Sequence, residues 1–203
     1  MTLSTTPSDR ALARRQQVLD AAAECFRRRG FHAASMAEIA KTAGMSPGHI
    51  YNLFENKDDI IAAIVERDCE QVLGRIAEFQ KSGDLLPQML AGTEQAIDER
   101  SQVADAALQL EVLAEASRNA RLAAVVQQSE ALVNRKAQEL IRQSLGEQAA
   151  SQLPPEEIEG RALMLGALFN GLTAMSVRHA GLAQAVPAIA PVMRRLLQVL
   201  MAP

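Results

Sequence analysis

The chain has 203 residues, enough for one or two domains, and is 48% hydrophobic but only 3% aromatic. A core without aromatics is built from Leu, Ala, Ile, Val and Met, which suit helices better than sheets. The longest apolar stretch, near 163–169, contains Gly166 and is far short of a membrane span, and a net charge of −3 excludes a uniformly basic nucleic-acid binder.

Residues 1–8 form a polar tail with no apolar stretch of the kind a secretory signal needs, which places the chain in the cytoplasm. A first helix runs from about Asp9 to Arg29, with Val18, Leu19, Ala22 and Phe26 on its inner face and Gly30 as its stop. Ser35 and Glu38 make an S-x-x-E capping box, so the next helix starts at Met36 and turns Ile39, Ala40 and Ala43 inward. Gly44 breaks it, supplying the left-handed backbone that a sharp turn needs. Ser46 caps a third helix, with Pro47 in its first position. Ile50, Leu53 and Phe54 fall at i, i+3, i+4 and pack inward, while His49, Tyr51 and Asn52 point elsewhere. Two short helices joined by a tight turn are a helix-turn-helix, the unit that lays one helix in the major groove of DNA. The charges follow suit. Residues 1–58 hold 8 Lys/Arg against 6 Asp/Glu, a net of +2, and the remainder 13 against 18, a net of −5. A weakly basic head and an acidic body suit a protein that touches phosphate with one end only.

A fourth helix begins near Lys57 and reaches about Gln80 on a stripe of Ile61, Ile64 and Val65, Val72, Ile76 and Phe79. Asp68 lies on that stripe where an apolar residue is expected. A buried carboxylate is costly unless paired, so Asp68 is either a paired or partly exposed acid or a contact for a cationic ligand. Ser82, Gly83 and Asp84 read as a loop, with Asp84 capping a helix that has Pro87 in its first turn. Helical patterns continue over 86–99, 103–117 and 121–145, with Gly146 as a stop. Pro154 and Pro155, followed by Glu156 and Glu157, open a helix to about His179. Pro187 and Pro191 open a final helix ending near Met201. Residues 162–176 are apolar nearly all round, with Gly166 and Gly171 allowing close approach. A helix apolar on every side is buried on every side, and a second copy of the chain supplies that cover. The dimer contacts expected are Leu165, Gly166, Phe169, Leu172, Leu196, Leu197 and Leu200. Glu111 and Asn170 are further ligand candidates, each a polar residue in an apolar run.

Cys25 and Cys69 lie in apolar-biased helical stretches and read either as buried, reduced thiols or as a redox pair. No nucleotide loop, Cys/His metal spacing or nucleophile motif is present, and His32, His49 and His179 are far apart. The pattern therefore implies no enzyme, no metal and no cofactor.

The first 65 or so residues resemble the DNA-binding domain of the TetR/AcrR family of bacterial transcriptional regulators. The residues that carry the resemblance are Ile39, Ala40, Ala43, Gly44, Met45, Ser46, Gly48, Ile50, Tyr51, Phe54 and Lys57, with Phe26 and the Arg29-Gly30-Phe31 run upstream. The chain departs from the family at His49, where a Thr is frequent, and at Leu53, where a His or Tyr is frequent. The resemblance implies an all-α, nine-helix fold, with residues 1–56 as the DNA-binding domain and 57–203 as the ligand-binding and dimerisation domain. It places Gly48, Tyr51 and Asn52 at DNA, with Tyr51 mostly on phosphate and Lys57 donating to phosphate. Ser35, Ser46 and Pro47 join them at the two helix starts, and His49 is the residue expected to read a base. The partners implied are a double-stranded palindromic operator, a small-molecule effector bound among the central helices, and a second copy of the chain. The function implied is a repressor released by that effector. A binding module that keeps the fold without reading an operator is the alternative.

Overall fold

The computed structural model describes residues 7–81, 85–101 and 103–202. Among them are eleven α-helices, one short 3-10 turn and no strand. The expected Ser82–Asp84 loop and its capping aspartate lie outside the described residues. The helices are α1 (Pro7–Arg29), α2 (Met36–Thr42), α3 (Pro47–Tyr51), α4 (Lys57–Lys81), α5 (Leu85–Ala91), α6 (Thr93–Arg100), α7 (Val103–Ala116), α8 (Ala120–Leu145), α9 (Glu147–Gln152), α10 (Pro155–Arg178) and α11 (Val186–Met201).

Eleven replace the expected nine for two local reasons. The helix anticipated over 86–99 is broken at Gly92, and the Thr93 hydroxyl donates to the Met89 carbonyl at 3.0 Å. Glycine and threonine are both weak helix formers, and this back-bond competes with the helical ladder. The stop at Gly146, with φ +78, is followed by the six-residue α9 before Leu153 and Pro154 return the backbone to extended geometry.

The chain divides into two compact units. The first holds residues up to Arg67 together with Leu108–Val126. Its core joins Val18, Ala22 and Phe26 of α1 to Ile39 of α2, Ile50 of α3, Phe54, and Ile60, Ile61 and Ile64 of α4. The second holds Asp68–Ala107 and Gln127 onward, around Met89, Ile97, Ile141, Ile158, Leu165, Met193 and Leu197. In that unit Arg161 donates to the carbonyls of Ala202 at 2.8 Å and Leu200 at 3.4 Å, closing the C-terminal end of α11.

Both cysteines are free. Cys25 is buried, with Sγ 3.4 Å from Thr42 Oγ1, and Cys69 is half-buried, with Sγ 3.6 Å from the Ser129 carbonyl. No helix among the described residues is long and apolar enough to cross a membrane.

Candidate nucleic-acid interface

The turn between α2 and α3 is closed by backbone bonds. The Met45 N–H donates to the Ala40 carbonyl at 2.9 Å and the Gly44 N–H to that of Lys41 at 3.1 Å, with Gly44 at φ +64. This is the paired closure that a left-handed residue permits after a helix, and it fixes where α3 begins. Ser46 Oγ accepts the His49 amide N–H at 3.3 Å, with Pro47 next in the chain. Ser35 Oγ accepts the Glu38 amide at 3.2 Å. The Glu38 carboxylate pairs with Arg29 at 3.1 Å and with Arg28 at 3.4 Å, which ties the start of α2 to the end of α1.

One face of α3 is fully committed to the core through Ile50, with Phe54 just beyond it and Leu53 half-buried. The opposite face leaves Pro47, Gly48, Tyr51 and Asn52 exposed, Tyr51 at 55%. A Cβ built at Gly48 meets nothing within 4 Å, so packing does not require glycine there. What the missing side chain provides is a bare backbone on the outward side.

Two of the expected DNA contacts are engaged inside the unit. Lys57 Nζ donates to the carbonyls of Phe31 at 2.7 Å and His32 at 3.1 Å and stands 4.8 Å from the Phe31 ring centroid. In this structure its ammonium braces the loop between α1 and α2. His49 is half-buried, with Nε2 3.0 Å from Arg14 Nη1. A guanidinium can only donate, so His49 Nε2 accepts and the ring proton sits on Nδ1. Arg14 is therefore the residue that orients His49. Arg15 stacks 4.4 Å from the Phe54 ring centroid.

The same loop is held from the other side by α7. Glu111 Oε2 accepts the Phe31 amide N–H at 3.0 Å, and Glu115, which is buried, meets His32 and Arg118, each at 3.1 Å. Glu111, expected at a ligand, is thus a support for residue 31. Asp68 is half-buried, and its charge acts on this chain's own Arg100. Asn170 is exposed on α10.

The residues expected at a dimer contact are distributed as follows in the second unit. Leu165, Leu172 and Leu197 are buried in the second unit's own core, and Gly166, Phe169 and Leu200 are half-buried. Of the seven residues expected, Leu196 is the one left exposed. The exposed apolar residues of these two helices are Leu163, Met164, Met175 and Val177 on α10 and Val192, Leu196 and Val199 on α11.

Residues 18–64 match the family model described as bacterial regulatory proteins, tetR family. The chain also aligns end to end with a solved structure of Salmonella enterica GusR, at 28% identity over 97% of each chain and a TM-score of 0.70. The N-terminal region of the chain is similar to the TetR family. Among curated relatives, the HTH-type transcriptional regulator UidR of Escherichia coli (strain K12) is 35% identical over 116 residues, 55% of this chain and 56% of UidR. That match spans little more than half of the relative's length. The TetR fold extends to a structure of transcriptional regulator FadR from Bacillus subtilis in complex with stearoyl-CoA, at 19% identity, 92% and 97% coverage and a TM-score of 0.68. UidR and FadR are both named as transcriptional regulators.

Proposed function

We propose that this chain is a dimeric, DNA-binding transcriptional repressor that a small-molecule effector releases from a palindromic operator. The observation that carries the reading is the capped α3, rigid on its buried side and bare on the other, where Pro47, Gly48, Tyr51 and Asn52 form the outward face. A helix start also presents backbone N–H groups to phosphate. In this reading residues 1–56 read DNA and the remainder binds effector and partner. Asn52 and His49, the latter through its Nδ1–H, meet base edges, and Tyr51 meets phosphate. Ser35 and Ser46 keep their capping role at the same surface.

One α3 covers only a few base pairs, so selectivity at useful affinity calls for two copies on a two-fold axis. The exposed stripe of α10 and α11, with Leu163, Met164, Leu196 and Val199, supports such a pairing through the second unit. The stearoyl-CoA complex of FadR supports an effector in the reading, without saying which one.

The test is a gel-shift of the purified protein with the DNA flanking its own gene, against random DNA, at two salt concentrations. Selective binding that falls steeply with salt is expected, and Tyr51→Ala should weaken all sequences alike. Binding without selectivity would favour the module that keeps the fold but reads no operator, a reading to which the internal engagement of Lys57 lends weight.

A further inference from the structure

One turn of α1 is fastened to the helix-turn-helix at three points. Gln17 Nε2 donates to the Ala43 carbonyl, at the C-terminal end of α2, at 2.8 Å. Arg15 lies over Phe54, with its Cζ 4.4 Å from the ring centroid. Arg14 Nη1 stands 3.0 Å from His49 Nε2 on α3. His49 is also held by its backbone, because its amide N–H donates to Ser46 Oγ at 3.3 Å and to the Ser46 carbonyl at 3.0 Å. Ile50, the next residue, is fully buried, which fixes the face on which His49 stands. Asn52, three positions on, falls on the same side of the helix and is exposed.

The two nitrogens of an imidazole are distinct, and the bond made by one decides the role of the other. A guanidinium has donors and no acceptor, so His49 Nε2 presents its lone pair to Arg14. The ring then has one donor, Nδ1–H, and no second acceptor. Such a ring is answered in the major groove by an acceptor. Purines offer N7, guanine also O6, and thymine O4. O6 and O4 each already accept the hydrogen bond of their own base pair, whereas N7 accepts none. Adenine and guanine both carry N7, and a pyrimidine has no acceptor at that edge.

We infer that Arg14 is a positioning residue for base reading, and that the Arg14–His49 pair recognises a purine through N7, favouring either purine over a pyrimidine without separating adenine from guanine. The inference rests on the operator reading proposed above and deepens it by naming what His49 recognises. It assigns Arg14 to the imidazole and not to phosphate.

The probe is a duplex selected from a randomised pool by the full chain. It is remade with 7-deazaadenine or 7-deazaguanine at each purine in turn, which replaces N7 by C–H and keeps the pairing edge. At one purine in a half-site the replacement should weaken wild-type binding about fivefold, the loss of one hydrogen bond. Exchanging adenine and guanine there should cost less than either pyrimidine. His49→Ala and Arg14→Ala should each bind the modified and unmodified duplexes alike. Arg14→Lys, which keeps a group that only donates, should recover part of the N7 preference. An N7 effect that survives Arg14→Ala would overturn the inference. So would a uniform loss in Arg14→Ala with the slope of log K against log salt lowered by about 0.9 per copy, which places Arg14 on phosphate.

A second readout needs no DNA. The chain has 3 histidines, so long-range proton–nitrogen spectra resolve each ring. His49 should carry its proton on Nδ1 and shift toward the Nε2–H form, which free histidine favours, in Arg14→Ala. An Nε2–H ring in the wild type would overturn the inference. The two readings fail differently. A pool that yields no preferred duplex removes the operator reading and this inference with it. A preferred duplex with no N7 effect that depends on His49 and Arg14 removes this inference alone.

Discussion

Replacing Lys57 with methionine keeps the aliphatic stem and deletes only the ammonium that bridges the Phe31 and His32 carbonyls at 2.7 and 3.1 Å. A hydrogen bond to a charged group contributes about 1.5–3 kcal/mol when removal leaves its partner stranded. The Phe31 bond is partly buried and counts near the middle of that range, whereas the His32 bond is exposed and counts for little. The net loss is then about 2–3 kcal/mol, or roughly 5–10 °C in the melting temperature of a chain of this size. Circular dichroism at 222 nm, followed on heating, reads the shift directly. The salt dependence of DNA binding supplies the contrast. A phosphate-contacting lysine would lower the slope of log K against log salt by about 0.9 for each copy, whereas a lysine engaged on carbonyls leaves it unchanged. A Lys57→Met protein with wild-type melting and a reduced slope would refute the structural assignment and restore the phosphate one.

Gly30→Ala should lose about 1–2 kcal/mol in urea unfolding, because its φ of +76 suits glycine and the added Cβ would stand 3.2 Å from Glu111 Oε1. The double change Leu196→Glu, Val199→Glu introduces charge on a face where Val199 is 70% exposed. Light scattering should then report a monomer with unchanged helix content, and a persisting dimer would move the interface elsewhere. At Cys69, burial raises the thiol's pKa, the Ser129 contact opposes this, and the nearby Glu70 and Glu130 raise it further. The thiolate needed for alkylation is therefore scarcer at neutral pH than in a free thiol, and iodoacetamide should label Cys69 more slowly than it labels glutathione.

The helix-turn-helix was legible in the sequence because its signals are local. A capping serine, a glycine at the turn and a proline at the first helical position each act within four residues of where they stand, and Ser35, Gly44, Ser46 and Pro47 all appear in the roles their spacing implied. The contacts of Lys57 and Glu111 with the loop after α1 were not legible, for the opposite reason. Their partners on residues 31 and 32 lie 25 or more positions away in the chain, so no periodicity links them. The burial of Leu165, Leu172 and Leu197 in the chain's own core was illegible because α10 is apolar on more than one side, and composition does not tell which side that core takes.

Phe31 has its N–H bound by α7 and its carbonyl by α4, four residues before the Ser35 cap of α2. This has a practical consequence for protein engineering. A hybrid regulator made by cutting at residue 57 and joining this reading head to another body would discard both Lys57 and Glu111, leaving residue 31 without either of its anchors. The portable piece is discontinuous in sequence: the head travels intact only if the turn of α7 around Glu111 and Glu115 is transplanted with it.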